Sequence, residues 1–213
     1  MKLILFAQTS EAEATIEQLG ATPIPGHKAE IWSEGVVPTL YRYEDGVIAI
    51  TNIGLHSAAA AVAKYSAACS EIWNIGFAGA LKGGLDIACI VPIRHVGKYV
   101  PLDDHELDLQ SHDCLKQILP DISLQDATHS LISSDFPIHN KLHRDRLAPN
   151  YDLVDMEGYA IAHLAKELGK KCYMWKIVSD FATPGGRELI RKNKRKLSEE
   201  IARHIINESS RTT

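Results

Sequence analysis

Apolar positions along this chain alternate between short continuous runs and stretches at helical spacing. Leu3 to Ala7 is a short apolar run and predicts a buried strand, with Ser10 an N-cap for a helix through Leu19 that Gly20 ends. Thr39 to Tyr43 and Val47 to Thr51 flank Glu44-Asp45-Gly46, a hairpin pattern with Asp-Gly at the turn. After Asn52-Ile53-Gly54 an alanine-rich helix is expected from about Ser57 to Ala68; its small residues imply close packing against the sheet or another subunit. Glu71 to Gly76 predicts another buried strand, running into a small-residue turn, Phe77-Ala78-Gly79-Ala80-Leu81, where a ligand can approach the backbone. Ile87 to Val100 is β-rich, Ala127 to Ser133 predicts a strand, and a last helix is expected from Arg187 to about Asn207, with Ser209 to Thr213 a frayed tail.

The most informative stretch runs from Asp155-Met156-Glu157-Gly158 to Asp180. Ile161, Leu164, Ala165 and Leu168 fall at helical spacing and predict a helix from Glu157 to Leu168, with Gly169 at C′. Leu153-Val154 before it and Cys172 to Asp180 after it read as strands, which makes the unit a βαβ crossover. Ligands bind beyond the carboxyl ends of such strands. Glu157 and Asp180 would therefore face one crevice and invite acid–base chemistry. The plainer alternative is a Glu that complements a helix dipole and an Asp that caps the segment after its strand. Glu11, in the first turn of the first helix, carries the same two readings.

Composition narrows the class. The chain has 213 residues, is 45% hydrophobic and carries a formal net charge of -4. That fits one globular domain over residues 1–213 and gives no footprint for nucleic acid. Cys69, Cys89, Cys114 and Cys172 are scattered without ligand spacing and read as reduced core thiols of a cytoplasmic protein. The apolar start is too short for a signal peptide, and no stretch is long enough to span a bilayer. Asp103 to Asp113 holds the densest set of possible metal ligands, yet it reads as a solvated loop, and His139 with His143 lacks a third partner. The basic cluster from Arg191 to Lys196 is followed by Glu199 and Glu200 and reads as a solvated helix face. There is neither a G-x-G-x-x-G nor a P-loop pattern.

Several strand ends carry small or acidic residues in a distinctive order: A-x-x-x-E (Ala7 to Glu11), N-I-G (Asn52 to Gly54), N-I-G-F-A-G-A-L (Asn74 to Leu81), V-D-M-E-G-Y-A-I-A (Val154 to Ala162) and S-D-F-A (Ser179 to Ala182). This ordered set resembles the purine nucleoside phosphorylase and nucleosidase superfamily. It is closest to the hydrolytic branch of methylthioadenosine/S-adenosylhomocysteine nucleosidases and futalosine hydrolases. The resemblance implies a single-domain α/β fold, a mixed central sheet flanked by helices, with no metal and no organic cofactor.

The resemblance also implies roles. Asp180 would protonate or hydrogen-bond N7 of a purine, with Ser179 orienting it. Glu157 would hold the ribose hydroxyls, Met156 would pack on the sugar, and Ala78-Gly79 would line the site near ribose and base. Phe136 would stack on the base, although it stands one position early. Glu11 would activate the water attacking C1′. An acid at N7 eases departure of the base, and a carboxylate suits hydroxyl donors and a growing cationic ribosyl group. For Asp180 to hold a proton near neutrality, burial among Trp175, Ile177 and Phe181 is expected. Lys176 stands where the nucleosidases commonly have Arg, Asp155 replaces a Glu, and Phe77 matches the futalosine-hydrolase form. The expected activity is hydrolysis of a 5′-modified purine nucleoside. The alternatives are phosphorolysis, disfavoured by Glu11 and by the lack of an early glycine-arginine phosphate loop, and a non-catalytic nucleoside-binding protein. A homodimer is expected, with Val100 to Asp108 of one subunit completing the 5′ pocket of the other.

Overall fold

In chain order the elements are β1 (Lys2–Phe6), α1 (Thr9–Gln18), β2 (Thr22–Pro23), β3 (Lys28–Ile31), β4 (Gly35–Pro38), β5 (Leu40–Tyr43), β6 (Gly46–Ile50), α2 (Leu55–Tyr65) and β7 (Glu71–Ala80), then β8 (Ile90–Lys98), β9 (Gln117–Ile118), β10 (His129–Ser133), α3 (Lys141–Leu147), β11 (Leu153–Asp155), α4 (Gly158–Glu167), β12 (Lys171–Asp180) and α5 (Gly186–Arg211). The computed structural model describes residues 1–31, 35–99, 117–118 and 128–211. The segments proposed for the partner loop and for the acidic and histidine-rich cluster, residues 100–113, lie outside the described residues.

Alternation within β1 sets up three layers. Leu3 and Leu5 point to one face, where α2 and α4 pack through Ala58, Ala61, Val62, Ile161 and Ala165. Ile4 and Phe6 point to the other, where α1 and α5 pack through Ala12, Leu197, Ile201 and Ile205. A strand covered on both sides must be apolar throughout, which is why the run from Leu3 has no polar break. The alanine-rich helix thus packs within the chain, on α4, and runs from Leu55 to Tyr65 rather than from Ser57 to Ala68.

The central sheet is mixed, as the sequence suggests, and part of it closes on itself. Its order is β11-β10-β8-β12-β7-β1-β6-β5-β2, with β9 beside β8. β12 lies parallel to β7 and antiparallel to β8; β10 is parallel to both β8 and β11. β11 then returns to β7, antiparallel, with Leu153 opposite Ala80 and Val154 opposite Gly79. The unit β11–α4–β12 is therefore not a parallel crossover. Its two strands meet on Gly79 of β7, one antiparallel and the other parallel to it. β7 itself continues to Ala80 instead of turning at Phe77, because β12 on one side and β11 on the other supply ladder partners that far.

Three ends also differ from the sequence expectation. Gln8, not Ser10, is the N-cap of α1, because the Glu11 carboxylate reaches back to the Gln8 N–H. α5 continues to Arg211, with Arg211 paired to Glu208 in its last turn. In the hairpin the turn falls at Glu44-Asp45, and Gly46 is the first residue of β6. Gly46 is required by packing: a Cβ there would stand 2.1 Å from the backbone oxygen of Lys2. The end of α4 agrees with the pattern, since Gly169 N–H bonds Lys166 O and Lys170 N–H bonds Ala165 O in a Schellman arrangement.

Gly46→Ala must push β6 away from β1. A loss of about 1–3 kcal/mol or more is expected, visible as a lowered midpoint in urea unfolding. An unchanged midpoint would mean that the two strands are not held in this register.

Candidate active site

Two strand ends and one helix start meet on the C-terminal end of β7. The ladder between β12 and β7 slips at Ser179, so that Val178 faces Ala78 and Asp180 faces Gly79. Such a bulge re-aims the side chain next to it. Around this point opens a cleft of about 160 Å³, lined among others by Glu11, Ala78, Gly79, Met156, Glu157, Ser179 and Asp180. All the candidates are brought together except Phe136. That ring packs tilted against Tyr99 and edge-on against His143, at 5.9 and 5.7 Å between centroids, while Pro137, Ile138 and His139 line the cleft in its place. Phe136 is corrected to a packing residue: the chain after β10 turns it toward Tyr99 and α3.

Glu157 is the N-cap of α4, yet its side chain does not cap. The helix start is satisfied by others: Asp155 Oδ2 accepts the Gly158 N–H (2.8 Å), and Ser133 Oγ accepts the Tyr159 N–H (2.8 Å) while donating to Asp155 Oδ1. Capping of α4 is thus the work of Asp155 and Ser133, while Glu157 still stands at the helix N-terminus where its charge complements the dipole. Its Oε1 instead accepts the N–H of Gly54, 2.8 Å away and 103 residues earlier. Gly54 presents that N–H from a left-handed backbone (φ +105°), which explains the glycine in Asn52-Ile53-Gly54.

Glu11 is held from both sides. Its Oε2 accepts the N–H of Ala7 (2.8 Å) and of Gln8 (3.1 Å), and its Oε1 accepts the N–H of Phe77 on β7 (2.9 Å). One oxygen therefore serves the helix start and the other ties α1 to the floor of the cleft. Asp180 keeps part of its plainer reading, because Oδ1 accepts the Ala182 N–H at 2.7 Å in a local turn. Its Oδ2 accepts the Ser179 hydroxyl at 2.9 Å. The expected apolar enclosure is absent: Trp175 and Ile177 belong to the core on the α5 side, and Phe181 is 39% exposed. Asp180 is only partly buried.

The residue that sequence reading undervalued is Lys176. It is 1% exposed, and among the described residues it is the sole buried cation. Its Nζ lies 2.8 Å from Asp155 Oδ2. A lysine inside the apolar run Trp175-Lys176-Ile177 demands a buried acid, and that is the signal by which it could have been found. Three buried carboxylates, Glu11, Asp155 and Glu157, surround this one ammonium. Burial raises the pKa of Glu11, against its backbone hydrogen bonds and Lys176. Burial, then the neighbouring Asp155, pushes Glu157 up to about 8, while Lys176 and the Gly54 N–H pull it down. Burial thus favours the protonated form of Glu157 in the free protein. Thr183, Arg187 and Ile190 also line the cleft; the last two share one face of α5 at i, i+3 spacing.

Among the described residues no helix is long and apolar enough to cross a membrane.

Comparison with known proteins gives a consistent picture. A family model described as the phosphorylase superfamily matches residues 3–207. The fold is similar to a futalosine hydrolase of Helicobacter pylori (17% identity, TM-score 0.75, covering 96% of this chain and 94% of that one). It is also similar to a Helicobacter pylori MTAN variant holding 5′-methylthioadenosine in its active site (16% identity, TM-score 0.77, 99% and 98% covered). A Chlamydia trachomatis MTAN gives 22% identity and a TM-score of 0.74, with 98% and 96% covered. No curated protein matches the chain.

The raised pKa of Glu157 makes it a cost to stability. Below about pH 4.5 it is protonated folded or unfolded; between there and about 8 only the folded state keeps the proton, so stability falls as pH rises. Glu157→Gln keeps the neutral shape. It should match wild type near pH 4 and exceed it by about 2–5 kcal/mol near pH 9 in urea unfolding of the ligand-free protein. An equal or lower stability at pH 9 would contradict the assignment.

Proposed function

We propose, from the premise that this chain belongs to the phosphorylase superfamily, that it hydrolyses the N-glycosidic bond of a 5′-modified purine nucleoside and releases the free base. The observation that carries this reading is that Glu11, Glu157 and Asp180 converge on one cleft from three separate segments of the chain. The named relatives in fold, a futalosine hydrolase and MTANs, support nucleosides of the futalosine or methylthioadenosine type as substrates.

Each group has one task. Asp180, steadied by Ser179 and the Ala182 N–H, enters the step in its acid form and passes that proton to N7 as the C1′–N bond breaks, so that the base departs neutral. The sugar left behind has oxocarbenium character. Glu157 accepts the ribose hydroxyls with the oxygen not taken by Gly54 and, once ionised, stabilises that positive charge. Its own proton passes to solvent when the nucleoside binds. Glu11 takes a proton from the water that adds to C1′, and its pKa, raised by burial, makes it a better base than a free glutamate. The new C1′–O bond forms as the C1′–N bond breaks, and the released proton goes to Glu11. Phosphate in the same place would meet a carboxylate, which favours water as the nucleophile. Met156 and Ala78-Gly79 shape the wall against sugar and base.

The test is a product assay on 5′-methylthioadenosine and 5′-methylthioinosine. Free base and a reducing sugar are expected, at a rate indifferent to phosphate; a sugar 1-phosphate would sink the hydrolytic reading. Asp180→Asn and Glu11→Gln should each lower kcat about 10²–10⁴-fold with little change in binding. The wild-type kcat/KM should climb with pH through about 8 as Glu157 ionises, a rise that Glu157→Gln abolishes. A flat profile in wild type would remove Glu157 from the ribose site.

A further inference from the structure

Glu157 holds the N-cap position of α4, where a residue's own side chain ordinarily accepts the N–H two or three residues on. The first of those groups, the Tyr159 N–H, is instead taken by Ser133 Oγ at 2.8 Å, from the end of β10 and 26 residues earlier in the chain. Ser133 is fully buried and donates its one hydroxyl hydrogen to Asp155 Oδ1. That bond turns the oxygen's acceptor side toward Tyr159. Asp155 is itself held by Lys176 and by the Gly158 N–H through its other oxygen, so the Ser133 hydroxyl has a fixed orientation.

The cap is thus supplied from outside the helix, and the Glu157 carboxyl reaches the Gly54 N–H on the wall of the cleft, at 2.8 Å. Two N–H groups compete for this one carboxyl: Tyr159 at the helix start and Gly54 at the end of the left-handed turn from Asn52. The dipole of α4 draws an ionised Glu157 toward Tyr159. Of the charged groups that face it, Asp155 on β11 and Glu11 on α1 repel it and Lys176 on β12 attracts it. Ser133 decides the competition by satisfying Tyr159 first. Without its hydroxyl Tyr159 lacks an acceptor in a buried place, and the space left by one oxygen atom is too small for water to replace it.

We infer that Ser133 is a positioning residue: it stands in for the Glu157 side chain as the cap of α4 and so releases that carboxyl into the cleft. Only the consequence for substrate rests on the nucleosidase reading, in which loss of Ser133 withdraws Glu157 from the ribose. The placement of the carboxyl needs no reaction and is read in the ligand-free protein.

Carbon-detected NMR of the backbone nitrogens of the labelled full chain, followed through the ionisation of Glu157, tests it. In wild type Gly54 should titrate with a midpoint of about 8 and by more than Tyr159; Glu157→Gln should abolish the titration, which identifies the group. In Ser133→Ala the order should reverse, with Tyr159 responding and Gly54 nearly silent, whereas Ser133→Thr, which keeps the hydroxyl, should retain the wild-type order. Ser133→Cys, equal in shape and a weak acceptor, should reverse it too and serves where Ser133→Ala does not fold. A Gly54 nitrogen that does not titrate in wild type, or the wild-type order in Ser133→Ala or Ser133→Cys, would overturn the proposal. Affinity for a non-cleavable nucleoside should fall about 10- to 100-fold with the reversal. Reversal with unchanged affinity, or in a protein that cleaves neither 5′-methylthioadenosine nor 5′-methylthioinosine, upholds Ser133 and sinks the ribose or hydrolase reading; cleavage without reversal does the opposite.

Discussion

The pair between Lys176 and Asp155 is the contact on which the site depends. Removing an ammonium and a carboxylate from water is expensive, and breaking such a buried pair by deleting one partner typically costs about 3–5 kcal/mol. Here the pair also positions its surroundings. Asp155 holds the start of α4 through the Gly158 N–H and draws in Ser133 from the end of β10, which in turn holds the Tyr159 N–H. Lys176 fixes this cluster to β12. One ion pair therefore joins β10, β11, α4 and β12, and frees the Glu157 side chain from capping so that it faces the cleft.

The same pair sets the charge balance. Lys176 is engaged by Asp155, so Glu11 and Glu157 must be accommodated in a buried place by backbone N–H groups and by distant attraction to the ammonium. Burial wins over these for both, and their pKa values rise. On the proposed nucleosidase reading, the electrostatic penalty of these carboxylates in the free protein would become attraction as a ribosyl cation forms. The geometry comes from β7, whose residues 77–79 meet β12 on one side while Gly79 and Ala80 meet β11 on the other, because the sheet closes at that end.

Much of this was legible in the chain. The apolar runs marked β1 and β7, and the strand, helix and strand around Glu157 appeared with nearly their observed ends. Their relative direction did not, because local pattern carries no information on which strand pairs with which, and the closure of β11 onto β7 is a long-range fact. Glu157 as a helix cap and Glu157 as a ligand are the same letters in sequence; only the capping by Asp155 and Ser133 tells them apart. The role of Gly46 depended on the approach of Lys2, which local turn chemistry does not contain. Phe136 failed for a similar reason: a one-residue offset at a strand end turns a ring to the other side. Lys176 was visible as a charge in an apolar strand, but its partner could not be named without the fold.

On the proposed reading, Glu157 holds a proton in the free protein and gives it up when a ribose is bound. Calorimetry with a non-cleavable C-nucleoside bearing both ribose hydroxyls, run near pH 7 in buffers of different ionisation enthalpy, counts that proton directly. Release of about one proton per site is expected in wild type and none in Glu157→Gln. Binding without proton release in wild type, or with the same release in Glu157→Gln, would contradict it.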